Sequence, residues 1–197
     1  NYNYQKNGTN QKNETKCAEY FEKLNVDKFY QWKEKSLSGK FLPTQRLGVM
    51  ATCREARKKR SDFVDILFVS TTDKRFIFRQ EYDNSDNFLK KIIAQHNFYL
   101  RLSKNIVKYF LLRPYPEDFG WRCKERWLDL TGGGIRFDPN CRIDESLTSC
   151  RIYVSDHLAT TWLEAFYIGT PVVLFFDIHR YFFLDDVKSL FKELQAV

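Results

Sequence analysis

Apolar residues along this chain fall into short runs that alternate with longer stretches of helical periodicity. Asp65–Ser70, Ile106–Arg113, Arg151–Ser155 and Pro171–Asp177 are too short for helices and rich in β-branched and aromatic side chains. They predict strands buried on both faces. Between the first two, Asn84–Ser103 carries Leu89, Ile92, Ile93, His96 and Leu100 on one stripe, an amphipathic helix in which His96 reads as a satisfied, half-buried histidine. Between the last two, Trp162, Ala165, Phe166 and Gly169 recur at i, i+3, i+4 and i+7. Gly169 sits where a helix C-terminal glycine belongs, and Pro171 blocks continuation. Short helices are predicted at Trp121–Leu130 and Asp144–Cys150, a short strand at Ile135–Phe137, and a closing helix at Asp185–Ala196. This alternation predicts an α/β fold, a Rossmann-like parallel sheet flanked by helices.

The first sixty residues break the pattern. Residues 1–16 nearly lack aliphatic side chains and read as a polar tail. Cys17, Tyr20, Phe21 and Leu24 then fall at helical spacing, and Asp27 can cap a second helical run through Phe29 and Trp32. Residues 38–60 read as irregular, with Arg54–Arg60 a basic solvated face or linker; contact with anionic lipid headgroups or nucleic acid is the alternative. The expected division is a polar tail and N-terminal helical extension over 1–60 and a Rossmann-like domain over 61–197.

Chemistry concentrates in the βαβ unit of residues 151–177. In a parallel sheet, ligands bind beyond the carboxyl ends of the strands, against helix N-termini. Ser155, Asp156, His157, Thr160 and Thr161 occupy that place, and free backbone N–H groups with two hydroxyls at a positive helix end suit a phosphate. Thr161-Trp-Leu-Glu164 also fits a capping box, in which Glu164 merely bonds back to the cap. The polar loop Thr71–Arg75 follows another strand. Arg113 ends a third, where its guanidinium either clamps phosphate bidentately or forms an ordinary salt bridge. Gly132-Gly133-Gly134 does not join a strand to a helix as a phosphate loop must, and reads as a flexible turn.

Charge and cysteine usage add modest constraints. The net charge is +7, from 32 basic and 25 acidic residues, which weakly favours anionic partners. The five cysteines, Cys17, Cys53, Cys123, Cys141 and Cys150, contain no C-x-x-C pair, as expected of free thiols in a reducing cytoplasm. No apolar window of about 20 residues suggests a membrane span. The first residue is Asn1 rather than Met, which suggests a fragment.

Leu112-Arg-Pro-Tyr-Pro-Glu-Asp-Phe-Gly-Trp121 and Asp156-His-Leu-Ala-Thr-Thr-Trp-Leu-Glu-Ala-Phe-Tyr-Ile-Gly-Thr-Pro-Val172 resemble a family of surface-carbohydrate (lipopolysaccharide or capsule) biosynthesis transferases. More broadly, residues 65–180 are similar to the nucleotide-donor domain of GT-B glycosyltransferases and of CDP-glycerol glycerophosphotransferases. In those proteins the Glu-Ala-x-x-x-Gly-x-Pro-Val run, here Glu164–Val172, lies on the donor-binding strand–helix–strand. The resemblance implies that 61–197 is a nucleotide-donor-binding domain, the C-terminal half of a GT-B pair. It implies a cytoplasmic transferase, peripheral to the inner face of the membrane, that moves a sugar or related group from a nucleotide-activated donor to a glycan or lipid-linked acceptor.

Carried over residue by residue, the resemblance implies donor phosphates near Thr160 and Thr161, with Asp156 in the same loop and Arg113 assisting. Glu164 would hold the donor ribose and His157 would serve as acid or base. A helix N-terminus and basic side chains, rather than a metal, would stabilise the departing phosphate, and no cofactor is implied. The chain departs from the family in one respect. A GT-B enzyme has two Rossmann-like halves, the acceptor half supplying the base, and residues 1–60 are too short for that half. The expectation is a donor half, inactive by itself. The competing class is a non-catalytic, basic Rossmann-like module for nucleic acid or a protein partner; a single short basic stretch argues against nucleic acid.

Overall fold

A computed structural model describes residues 29–31, 41–43, 45–63, 65–72, 74–75, 85–176 and 185–195. In chain order the elements are β1 (Phe29–Gln31), β2 (Phe41–Pro43), α1 (Gln45–Lys58), β3 (Ile66–Val69), α2 (Ser85–Leu100), α3 (Lys104–Val107) and β4 (Phe110–Arg113). There follow α4 (Cys123–Thr131), β5 (Arg136–Phe137), α5 (Ile143–Ser149), β6 (Ile152–Ser155), α6 (Thr160–Ile168), β7 (Val172–Leu174) and α7 (Asp185–Gln195). They belong to two compact units, Gly48–Phe176 and a second formed by Asn1–Leu47 with Asp177–Val197. In the second unit β1 and β2 pair in parallel.

The Gly48–Phe176 unit is built on a five-stranded sheet in the order β5-β4-β3-β6-β7, every pairing parallel. The period-2 alternation of strands sends neighbouring side chains to opposite faces. Leu67 of β3 faces a core with Met50, Leu111, Leu147, Tyr153, Ala165 and Ile168, so α1, α5 and α6 cover that side. Phe68, the next residue, faces Tyr99, Phe110, Leu112, Trp127 and Val154, under α2 and α4. The second face is aromatic: Phe68 stacks on Phe110 at 5.7 Å and on Phe175 at 5.8 Å, and Phe98 stacks on Phe175 at 4.7 Å. Such rings bury large apolar areas and prefer offset stacking.

Several expectations are corrected. Residues 38–60 are not irregular throughout, because α1 occupies Gln45–Lys58 and buries Met50 in the core. Phe29–Gln31 is a strand rather than part of a helical run, since its backbone pairs in parallel with that of β2. The run 106–113 splits into a helical turn, α3, and the four-residue strand β4, which matches the length of its partner β3. The Cys17–Leu24 helix, the 1–16 tail and residues 32–40 lie outside the described residues. Gly132 ends α4 in the left-handed conformation, φ 58°, and Gly133 N–H donates to the Leu128 carbonyl at 2.8 Å, so the glycine run begins as a helix cap. Gly169, φ 86°, ends α6 as expected, with Thr170 N–H donating to the Ala165 carbonyl.

The two long helix stripes are also displaced. On α2 the buried residues are Phe88, Lys91, Ile92, Gln95 and Tyr99, while Leu89, Ile93 and Leu100 are exposed. On α6 they are Glu164, Ala165 and Ile168, while Phe166 is exposed. Each helix therefore buries polar side chains where the apolar pattern put none.

Candidate functional site

Strand order reverses beside β3: the chain runs outward through β4 and β5, then returns to place β6 on the other side of β3. Loops leaving β3 and β6 at such a reversal part to opposite faces and open a crevice at the carboxyl edge. Val69 of β3 stands in register with Arg113 on one side and Ser155 on the other, so these residues end adjacent strands at one edge, as the sequence requires of parallel strands.

The loop after β6 is organised around Asp156. Its carboxylate, 3% exposed, accepts from Gln95 Nε2 at 2.6 Å and faces Lys91 Nζ at 3.9 Å through Oδ2. Oδ1 lies 3.1 Å from His157 Nδ1. The same Nδ1 lies 2.9 Å from Ser155 Oγ, and that hydroxyl donates to the His157 carbonyl at 3.2 Å. Ser155, His157 and Asp156 have the composition of a hydrolytic triad but not its geometry. Both partners share one ring nitrogen and Ser155 is fully buried, so the serine is no nucleophile.

Helix α6 begins at Thr160, with Ala159 as its N-cap and no side-chain cap hydrogen bond. The Thr161–Glu164 capping box therefore does not form. Thr160 is exposed and Thr161 half-buried, beside the first-turn N–H groups. Glu164, the residue expected to hold the donor ribose, is 6% exposed. It lies near Tyr153, whose buried Oη has no hydrogen-bond partner within ordinary distance among the described residues; burial, opposed by the Ser155 hydroxyl and helped by the Asp156 and Glu164 charges, pushes that phenol up to about 12.

Arg113 is engaged in the ion pair that competed with phosphate contact. Its Nη1 meets Asp138 Oδ2 at 2.5 Å, and its two Nη atoms donate to the carbonyls of Asn140 and Cys141. Asp138 is 1% exposed and also accepts from Ser146 Oγ at 2.6 Å. Arg113 thus ties the β5–α5 loop to the sheet edge, and the described residues do not bring its guanidinium together with Thr160, Thr161 and Glu164.

After β3, Ser70 and Thr72 are buried, and Thr72 Oγ1 sits 3.6 Å from Cys123 Sγ. Burial pushes the Cys123 thiol up. Asp118 Oδ1 accepts the backbone N–H groups of Gly120, Trp121 and Arg122, fixing the turn that Arg75 clasps through the Gly120 carbonyl. His96 is half-buried but not satisfied: its Nε2 is buried beside Trp127 without a partner among the described residues.

Within the Arg54–Arg60 cluster, Arg57 is buried. It donates to the carbonyls of Leu147, Thr148, Cys150 and Gly169 and lies over Phe63 at 4.1 Å. The solvated-face reading holds for Arg54, Lys58, Lys59 and Arg60 and fails for this one. Lys91, Gln95, Asp118, Asp138 and Arg57 were missed as organising residues. The one available signal was the helical spacing of Lys91 and Gln95 with Phe88, Ile92 and Tyr99. No helix among the described residues is long and apolar enough to cross a membrane.

A family model described as LIC12162 family transferase matches residues 8–197, almost the whole chain. No curated protein and no solved structure matches.

Proposed function

The chain belongs to the LIC12162 transferase family, and on that premise we propose that Gly48–Phe176 is a donor-binding unit. It would serve a transferase that moves a sugar or related group from a nucleotide-activated donor in surface-polysaccharide synthesis. The observation that carries this reading is the strand-order reversal beside β3, where the polar loops after β3 and β6 adjoin the uncapped N-terminus of α6.

Donor phosphates rest on the first N–H groups of α6, with the Thr160 and Thr161 hydroxyls as further donors. A glycan or lipid-linked hydroxyl attacks the donor carbon or phosphorus, and the nucleotide phosphate departs into this positive helix end. His157 manages the proton. Arg113 serves by holding the 138–141 loop at the same sheet edge, and Glu164 adds a buried carboxylate behind α6. The arrangement belongs on the cytoplasmic side, where nucleotide-activated donors are made.

Thermal-shift and calorimetric screening against CMP, CDP, UDP and GDP tests the reading. At least one is expected to bind, and the Thr160→Val, Thr161→Val double variant is expected to weaken it about tenfold, the scale of one or two hydrogen bonds. Absence of binding by all four, or unchanged affinity in the folded double variant, overturns it.

A further inference from the structure

The Asp156 carboxylate does not point outward as a ligand contact would; both its oxygens are occupied by neighbours inside the protein. We propose that Asp156, braced by Gln95 and Lys91 across the sheet, fixes the His157 ring so that its bare Nε2 lone pair accepts the proton of a ligand hydroxyl. The nature of that hydroxyl rests on the transferase reading; the ring's orientation does not.

A carboxylate has only acceptors, so the hydrogen in the 3.1 Å contact between Asp156 Oδ1 and His157 Nδ1 belongs to the histidine. Ser155 leads to the same assignment. Its hydroxyl hydrogen goes to the His157 carbonyl at 3.2 Å, leaving lone pairs for the Nδ1–H at 2.9 Å and the His157 backbone N–H at 3.4 Å. With the proton on Nδ1, the neutral ring carries a bare Nε2, as the hydrogen bond made by one ring nitrogen decides the state of the other. His157 Nε2 makes no hydrogen bond among the described residues, and the side chain keeps 11% of its surface exposed.

Gln95 and Lys91 supply what makes the carboxylate rigid. Both are buried, at 4% and 8% exposure, on the inward face of α2 beside Phe88, Ile92 and Tyr99. Burying a lysine and an amide is unfavourable unless they meet a partner, and Asp156 is that partner. They act through Asp156 and are positioning residues. In the step itself, the hydroxyl O–H bond breaks and its proton joins His157 Nε2, giving an imidazolium that keeps its Nδ1–H on Asp156. The freed oxygen pair forms the new bond to the donor carbon or phosphorus, and the nucleotide phosphate leaves with the bonding pair.

Nitrogen-15 spectra of the histidine rings test this, with His157 assigned among the three histidines by His157→Gln. In the neutral ring, Nε2 is expected to resonate as unprotonated nitrogen and Nδ1 as N–H. In Asp156→Asn the balance shifts toward Nε2–H. A second readout is acylation of Nε2 by diethyl pyrocarbonate, followed by mass spectrometry with and without saturating CDP, and at least fivefold protection is expected. An Nε2–H ring in the unaltered protein overturns the proposal whether or not Asp156→Asn folds. Acylation undiminished by bound CDP also overturns it. Failure of CMP, CDP, UDP and GDP to bind overturns the donor reading instead and leaves the ring assignment to the spectra.

Discussion

Gln95 and Asp156 lie 61 residues apart in the chain, yet the Gln95 amide donates to the Asp156 carboxylate across 2.6 Å of buried space. The contact joins α2, on one face of the sheet, to the loop that leaves β6. It goes with the turn of α2 away from its most apolar stripe: a hydrogen bond to a buried charge contributes about as much as one exposed leucine costs. Gln95→Leu is therefore expected to lower unfolding free energy by about 2 kcal/mol, despite adding an apolar side chain to a buried position. Gln95→Glu should cost more, because it sets a second carboxylate against Asp156. Urea titration decides, and a Gln95→Leu protein within about 0.5 kcal/mol of the parent would show that the contact is incidental.

Arg57 gives a second prediction. Its guanidinium satisfies carbonyls at the C-terminal end of α5 and at Gly169, which closes α6. Arg57→Ala removes several charge-assisted bonds at once and is expected to cost about 3 kcal/mol. Arg57→Lys keeps the charge but loses the fork, and should recover less than half of that. Lys58→Ala provides the contrast: its pairing with Glu55 is exposed on both sides, and the change is expected to stay within about 0.5 kcal/mol. Equal effects of the two alanine substitutions would remove Arg57 from the core.

Removing Arg113 leaves Asp138, 1% exposed, without its cation. An uncompensated buried charge costs about 3 kcal/mol or more, so Arg113→Ala should melt well below the parent. The paired change Arg113→Met, Asp138→Leu should recover much of the loss, since the unpaired charge disappears with its partner. A double variant as unstable as Arg113→Ala would mean that the two residues do not act as a pair.

The strands of the sheet were legible because parallel strands buried on both faces read as continuous apolar runs: Ile66–Val69, Ile152–Ser155 and Val172–Leu174 each lie inside the run that predicted it. Helix faces were less legible. Hydrophobic periodicity weighs Leu89, Ile93, Leu100 and Phe166 by their side chains alone. The folded chain also weighs the partners waiting at the sheet edge, and Asp156 there brought Lys91 and Gln95 inside. Arg57 was obscured in the same way, since a basic run reads as solvated unless the carbonyls it caps are known. The place of the site after β6 followed from the βαβ pattern. Its internal wiring did not, because Gln95 and Lys91 reach Asp156 only through the crossover.

Alkaline pH supplies the last prediction. Burial pushes the Cys150 thiol from 9.0 up to about 12, against the opposing pull of Arg57. Burial likewise pushes the Tyr153 phenol from 10.0 up to about 12, helped by the Asp156 and Glu164 charges. In both groups the neutral form is the one the fold holds, and the unfolded chain ionises first. Their contribution to stability is therefore complete below about pH 9 and is lost as pH rises from there through 12. Each group adds at most about 1.4 kcal/mol of lost stability per pH unit within that window. Cys150→Ala with Tyr153→Phe removes both titrations, so its stability should fall less steeply with pH than that of the parent, even though the lost sulfur lowers it overall. Tyr153→Phe alone should be neutral or slightly stabilising at pH 7, because the deleted Oη is buried without a hydrogen-bond partner among the described residues. Urea midpoints at several pH values between 8 and 11 provide the measurement, with the other titrating groups common to both proteins. Parallel curves for parent and double variant would show that neither buried group is held neutral by the fold.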